Sequence, residues 1–259
     1  MNLRPADSLA VAAVEAIRGG DLEALERLLS DNPELASAKI GGTDDSCDAG
    51  GRTLLHVATD WPGHFPNGAA TVALLITHGA DVNARFSGPH AETPLHWAAS
   101  SDDVAVLDAL LDAGAYIEAP GAVIGGGTPL ADAVAFGQWR AARRLVERGA
   151  QTTLWQASAL GLLDRLEAHF AGDPRALRPW SPGAPQPGAP SPDEVTHAFW
   201  CACHGGQRQT AEVLLDRGAN LNWVGYDGLS PIDAASRSGA KEVVEWLHDL
   251  GARSAEELR

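Results

Sequence analysis

Helix start and stop signals that recur together constrain this chain more than any other feature. Thr53-Leu-Leu-His56, Thr93-Pro-Leu-His96, Thr128-Pro-Leu-Ala131 and Ser230-Pro-Ile-Asp233 each open a short helical pattern. The opening residue is a hydroxyl N-cap, and in three of the four a proline takes the first helical position, where its missing N–H costs nothing. The stop signals are as regular. Leu74 to Gly79, Leu110 to Gly114, Leu145 to Gly149, Leu214 to Gly218 and Leu247 to Gly251 are leucine-rich turns that end in glycine. Glycine there terminates a helix in the left-handed conformation. Units of this size cannot bury an apolar face alone, so they must stack on their neighbours.

Thr-Pro-Leu-His-x-Ala at 93–98, followed by Leu-Leu-x-x-Gly-Ala-x-x-Asn endings such as residues 214–222, resembles the ankyrin repeat. The resemblance extends over about residues 9–253. It implies an all-α solenoid of about seven helix pairs joined by short β-hairpin-type turns, with the first helix of each pair on a concave side. The expected organisation is a single domain over 1–259. It comprises an N-terminal cap pair at 9–50, three regular repeats at 51–153, a degenerate pair with a proline-rich loop at 154–192, and two C-terminal repeats with a cap at 193–259.

Composition narrows the function classes. With 45% hydrophobic and 20% charged residues the chain can bury a core. A formal charge of −15 and a longest basic run of Arg143-Arg144 argue against nucleic acid, because a phosphate backbone calls for a basic patch. No segment reaches the roughly 18 apolar residues of a membrane span. The N-terminal pattern of Leu9, Ala13 and Ile17 is broken by Glu15 and does not read as a signal peptide. Cys47, Cys201 and Cys203 form no disulfide framework, which points to a reducing, cytoplasmic setting.

Four departures from the repeat carry the functional expectations. The turn at 62–70 is longer than the repeat needs. The loop at 120–127 is apolar and glycine-rich, without the lysine or strand of a phosphate loop. Residues 149–155 run from one helix stop straight into the next helix start, deleting a hairpin. Residues 175–192 are proline-rich and could plug the groove as an autoinhibitory loop.

The residue after the motif's histidine position, and those three and four further on, share one helical face. In the ankyrin family that face lines the groove. It reads Val57, Asp60, Trp61; Trp97, Ser100, Ser101; Asp132, Ala135, Phe136; Gln156, Ala159, Leu160; Cys201, His204, Gly205; and Ala234, Arg237, Ser238. With neighbouring helices about 8–10 Å apart, Trp61, Trp97 and Phe136 are expected to form an aromatic row. Asp60 and Asp132 would flank it, with Cys201 and His204 further along, while His64 and Phe65 would fold over it from the long turn. Eight tryptophans beside five phenylalanines suit binding surfaces, where large rings dominate. Trp139, Trp155, Trp200 and Trp246 are assigned to packing. His56, His96 and Asp233 occupy the motif's structural position. Cys201-x-Cys203-His204 lacks zinc spacing, and no metal or cofactor is expected. The favoured reading is non-catalytic recognition of a protein segment or small molecule. The alternative is an enzyme using Asp60, His64, Asp132 or His204 for acid–base chemistry in the same groove.

Overall fold

The structure is a computed structural model that describes residues 1–41, 51–178 and 193–259. It forms two compact units, Met1–Gly149 and Ala150–Arg259. Among the described residues there are fourteen α-helices in consecutive pairs, and the strands are a few residues long. The all-α expectation holds.

Unit 1 contains α1 (Ser8–Gly19), α2 (Leu22–Asp31), α3 (Leu54–Thr59), α4 (Gly68–Thr77), α5 (Pro94–Ser100), α6 (Val104–Asp112), α7 (Pro129–Ala135) and α8 (Trp139–Glu147). The first helices of its pairs, α1, α3, α5 and α7, pack in series, and so do the second helices, α2, α4, α6 and α8. Small side chains allow the close approach: Ala10, Ala13, Ala58, Ala98, Ala99, Ala133 and Ala141 are buried beside Leu55, Leu75, Leu95, Leu107 and Leu145. Unit 2 contains α9 (Leu154–Ala159), α10 (Leu163–Phe170), α11 (Glu194–His204), α12 (Arg208–Leu215), α13 (Pro231–Arg237) and α14 (Lys241–Asp249), with α9, α11 and α13 packed in series.

One element of the N-terminal cap is not legible in the repeat pattern. Strand β1 (Asn2–Leu3) pairs in parallel with β2 (Lys39–Ile40), which pairs antiparallel with β3 (Arg52–Thr53). The chain's first residues thus tie the cap pair to the start of α3. Residues 42–50, with Cys47, and 179–192, most of the proline-rich loop, lie outside the described residues, and the expected plug lies with them.

The turns between paired helices are stapled to one another by side chains. Asp103 caps α6 by accepting the Val106 N–H at 3.2 Å, and its other oxygen accepts the His64 N–H at 2.8 Å from the preceding turn. Its neighbour Asp102 accepts the Ala141 N–H at 2.7 Å, at the start of the following α8. Asn67 donates back to the Gly20 carbonyl at 2.9 Å. The hairpin side has its own brace, since Asn83 accepts the Tyr116 N–H and Asn222 the Arg253 N–H, both at 2.8 Å. Each such bond satisfies a backbone group at a helix end or in the turn beside it.

Candidate functional site

The motif's histidine position explains how successive repeats are joined. His56 Nδ1 accepts the Thr53 N–H at 3.3 Å, and His96 Nδ1 accepts the Thr93 N–H at 3.0 Å. That leaves Nε2 protonated and facing the next repeat, where it reaches the Glu92 carbonyl at 3.2 Å and the Gly127 carbonyl at 3.5 Å. Each of these carbonyls directly precedes the next N-cap. Both rings are fully buried, and burial holds both histidines at about 4, so they are neutral as the bonding pattern requires. Asp233 serves the same position in α13, accepting from Ser230 N–H and Oγ at 3.1 and 2.8 Å and from the Ala255 N–H at 2.7 Å. Gln156 does so in α9, accepting the Thr153 N–H at 2.9 Å. Gln156 was expected on the groove face; it is a capping residue buried at 1% exposure.

In α11 the position belongs to Trp200. Its indole N–H donates to the Leu229 carbonyl at 2.9 Å, the residue before the Ser230 cap. It is therefore the inter-repeat tie of unit 2, beyond the packing role expected of it. A readable signal existed. The left-handed glycines Gly137, Gly206 and Gly239 follow Thr128, His197 and Ser230 by nine residues, which aligns Trp200 with Ala131 and Asp233.

The residue after this position is an interior one, which corrects part of the expected groove. Val57, Asp132, Cys201 and Ala234 are all buried. Trp97 is half-buried in a cluster, 4.9 Å from the His56 ring and 5.5 Å from Phe86, with the Glu92 carboxylate nearby. What the short inner helices α3, α5 and α7 expose lies at their C-terminal ends. Trp61 is 76% exposed and Phe136 46%. Ser101, between them in the stacking order, is buried, with its hydroxyl donating to the Thr59 carbonyl at 3.4 Å. No ring contact joins Trp61, Trp97 and Phe136 among the described residues, so the expected continuous aromatic row is absent there. The physical reason is the helix length. At six or seven residues, only the last turn of each inner helix clears its neighbours.

The long turn is not a cover. Gly63 meets Ser101, His64 is pinned by Asp103, and Gly20 approaches the Pro66 carbonyl. The backbone of the turn at 63–66 is thus built into the stack. The His64 ring itself stays exposed, with Nδ1 at 3.9 Å from Asp103 Oδ1. Asp60, half-buried at the end of α3, is occupied by two guanidinium groups: Arg52 at 2.8 Å and Arg18 at 3.3 Å. Neither arginine was singled out in the sequence, because they come from α1 and β3 and meet only in the fold. Asp132 is fully buried and accepts the Val123 and Ile124 N–H groups at 3.4 and 3.1 Å, anchoring the glycine-rich loop. Burial and the nearby Glu92 charge raise it to about 7. Three of the four proposed acid–base residues, Asp60, His64 and Asp132, therefore lie in separate local settings of unit 1.

In unit 2, His204 is buried and stacks on Trp200 at 5.6 Å, with Nδ1 3.0 Å from Ser238 Oγ. Cys201 and Cys203 are buried thiols pushed well above their ordinary pKa, which suits core residues and not nucleophiles. Among the described residues no group of His, Cys, Asp and Glu is arranged to hold a metal ion.

Known proteins supply the remaining comparison. A family model for ankyrin repeats, three copies, matches residues 67–154. Residues 67–154 are ankyrin repeats. The chain is also 40% identical over 50 residues, 19% of its length, to the ankyrin repeat and KH domain-containing protein mask-1 of Caenorhabditis elegans. That match spans 2% of the relative. Ankyrin repeats indicate a protein-interaction scaffold. Among the described residues of this ankyrin array, no helix is long and apolar enough to cross a membrane.

Proposed function

We propose that this protein is a non-catalytic recognition scaffold, and that a polypeptide segment of its partner lies across the ends of α3, α5 and α7 in unit 1. Trp61 is the main anchor and Phe136 the second. The observation that carries this reading is the exposure of Trp61, 76% of a large ring, on a backbone braced by Asp103 and Ser101. A rigidly presented indole loses little freedom on docking, and tryptophan is the commonest type of binding hot spot. Arg18 and Arg52, sharing the single carboxylate of Asp60, rim the anchor with charge that orients a partner more than it tightens it.

Peptides selected from a random display library against the full chain test the reading. Trp61→Ala is expected to weaken the selected peptides by tenfold or more. Unfolding by urea is expected to stay within about 0.5 kcal/mol of the wild type, because the ring is exposed. Phe136→Ala is expected to weaken them by a smaller factor. Undiminished binding in both variants would refute the assignment of the surface. The acid–base alternative draws no support from the settings of Asp60 and Asp132, each already committed to a local partner, and the exposed His64 ring lies apart from both.

A further inference from the structure

At the end of α3 the charge balance of the chain is inverted. The chain is acidic, at −15, and the outer helix α2 alone carries Glu23, Glu26 and Asp31. Beside Trp61, by contrast, two guanidinium groups share one carboxylate. Arg52 Nη1 and Arg18 Nη2 converge on the same Asp60 oxygen, Oδ2, at 2.8 and 3.3 Å. A guanidinium carries five N–H donors, and each of these spends one on Asp60. The Arg18 and Arg52 side chains stay 47% and 32% exposed, so donors remain for a second acceptor. Nearby carboxylates are committed elsewhere. Asp21 caps α2 by accepting the Ala24 N–H at 2.9 Å, and Asp102, in the next turn of the stack, accepts the Ala141 N–H at 2.7 Å.

The fold holds the two cations in place from different elements. Arg18 sits in the last turn of α1, where the helix C-terminus favours a positive charge. Arg52 lies in β3, paired with Ile40, directly before the Thr53 cap of α3. It runs along that helix to reach Asp60 at the far end. Asp60 is followed at once by Trp61, whose ring is 76% exposed. The indole and the cationic pair therefore face one short stretch of any ligand. An extended peptide rises about 3.3 Å per residue, so groups one or two residues apart in it can meet both.

We propose that Arg18 and Arg52 receive a side-chain carboxylate of the partner, so that the segment docked on Trp61 carries aspartate or glutamate within about two residues of the side chain seated on the indole. This inference rests on Trp61 being the anchor. A second carboxylate would match two negative charges to two positive ones and take N–H donors from planar forks that fit its geometry. A lysine or arginine of the partner would meet like charge at the same place. Charges more than about 8 Å away are largely screened at physiological salt, so the carboxylates of α2 oppose such a partner weakly while the local pair attracts it.

Two peptide display libraries, identical except for a central aspartate in one and asparagine in the other, test the proposal against the full chain at about 0.15 M salt. Selected sequences are then compared as synthetic aspartate and asparagine pairs with amidated ends, so that the chain terminus supplies no carboxylate. The aspartate peptides are expected to bind about fivefold tighter than their asparagine counterparts. That ratio is expected to fall toward one in Arg18→Gln and in Arg52→Gln; the first replaces a half-exposed side chain and keeps the test open should the second not fold. Asp60→Asn removes the competing carboxylate and is expected to raise the ratio, a gain that a purely structural cluster would not give. Equal affinities in the wild type, an unchanged ratio in the arginine variants, an unchanged or lower ratio in Asp60→Asn, or no recovery from either library would each overturn the proposal. Trp61→Ala separates this inference from the reading beneath it. Peptides that lose binding in Trp61→Ala yet show no preference for aspartate overturn the carboxylate site alone, whereas peptides indifferent to Trp61→Ala remove both.

Discussion

Gly205→Ala is expected to cost unit 2 more than about 3 kcal/mol, although it adds one methyl group. The backbone conformation is not the obstacle. Gly205 has φ −79° and ψ −3°, which any residue adopts. The obstacle is space, because a Cβ there would be driven into the carbonyl oxygen of Ala159 at the end of α9, with the Ala159 carbonyl carbon only 2.8 Å away. Backbone cannot rotate aside as a side chain can. Relief would require α9 and α11 to separate, and these helices carry the buried Ala157, Ala159, Phe199 and Cys203 between them. Thr210 Oγ1, which donates to the Ser158 carbonyl at 2.9 Å, would be strained by the same movement. Gly19→Ala supplies the control, since a Cβ there meets nothing within 4 Å. Placed in the last turn of α1, it is expected to be neutral or slightly stabilising. Urea unfolding followed by circular dichroism distinguishes the two. A loss under 1 kcal/mol for Gly205→Ala would show that the contact relaxes easily.

The fold was legible because its signals are local. Thr53, Thr93 and Ser230 cap helices that follow them directly, and Gly79, Gly114 and Gly251 stop helices that precede them. The deleted hairpin was legible too, as Thr153 follows the Gly149 stop and caps α9 directly. The site was less so, because exposure is a property of neighbours. Asp132 and Trp97 occupy the same position of their repeats as Val57, yet one anchors a loop, one joins an aromatic cluster and one is core. Nothing in the spacing distinguishes these fates. Asp60 reads as a free carboxylate until Arg18, 42 residues away in sequence, is brought beside it. Strand β1 pairs with residues 39–40 through backbone groups alone, which leaves no mark in a side-chain pattern.

Trp200 offers the sharpest test of the repeat logic, and Trp200→Ala is expected to cost about 3–5 kcal/mol. The indole replaces a histidine at a position where two jobs are normally done. In α5, His96 accepts the N–H of its own cap residue and reaches forward to the next repeat. Indole is a donor only and can do just the second job. The first has become unnecessary. Helix α11 begins at Glu194, so the N–H of His197, at the usual cap position, is already bonded to the Asp193 carbonyl at 3.0 Å. The extra turn of helix and the change to tryptophan therefore belong together. Trp200→Phe keeps much of the ring but removes the indole donor, leaving the Leu229 carbonyl with the Gly225 N–H at 2.9 Å alone, and is expected to lose about 0.5–1.5 kcal/mol. Trp200→His restores the motif residue yet should not restore stability. Its Nδ1 would be buried with no N–H to accept, and the volume of the larger ring would be left empty. Urea unfolding of the three variants orders the effects. A phenylalanine variant as stable as the wild type would show that the hydrogen bond to Leu229 contributes nothing. A histidine variant as stable as the wild type would show that the lengthened α11 had not made the first job redundant.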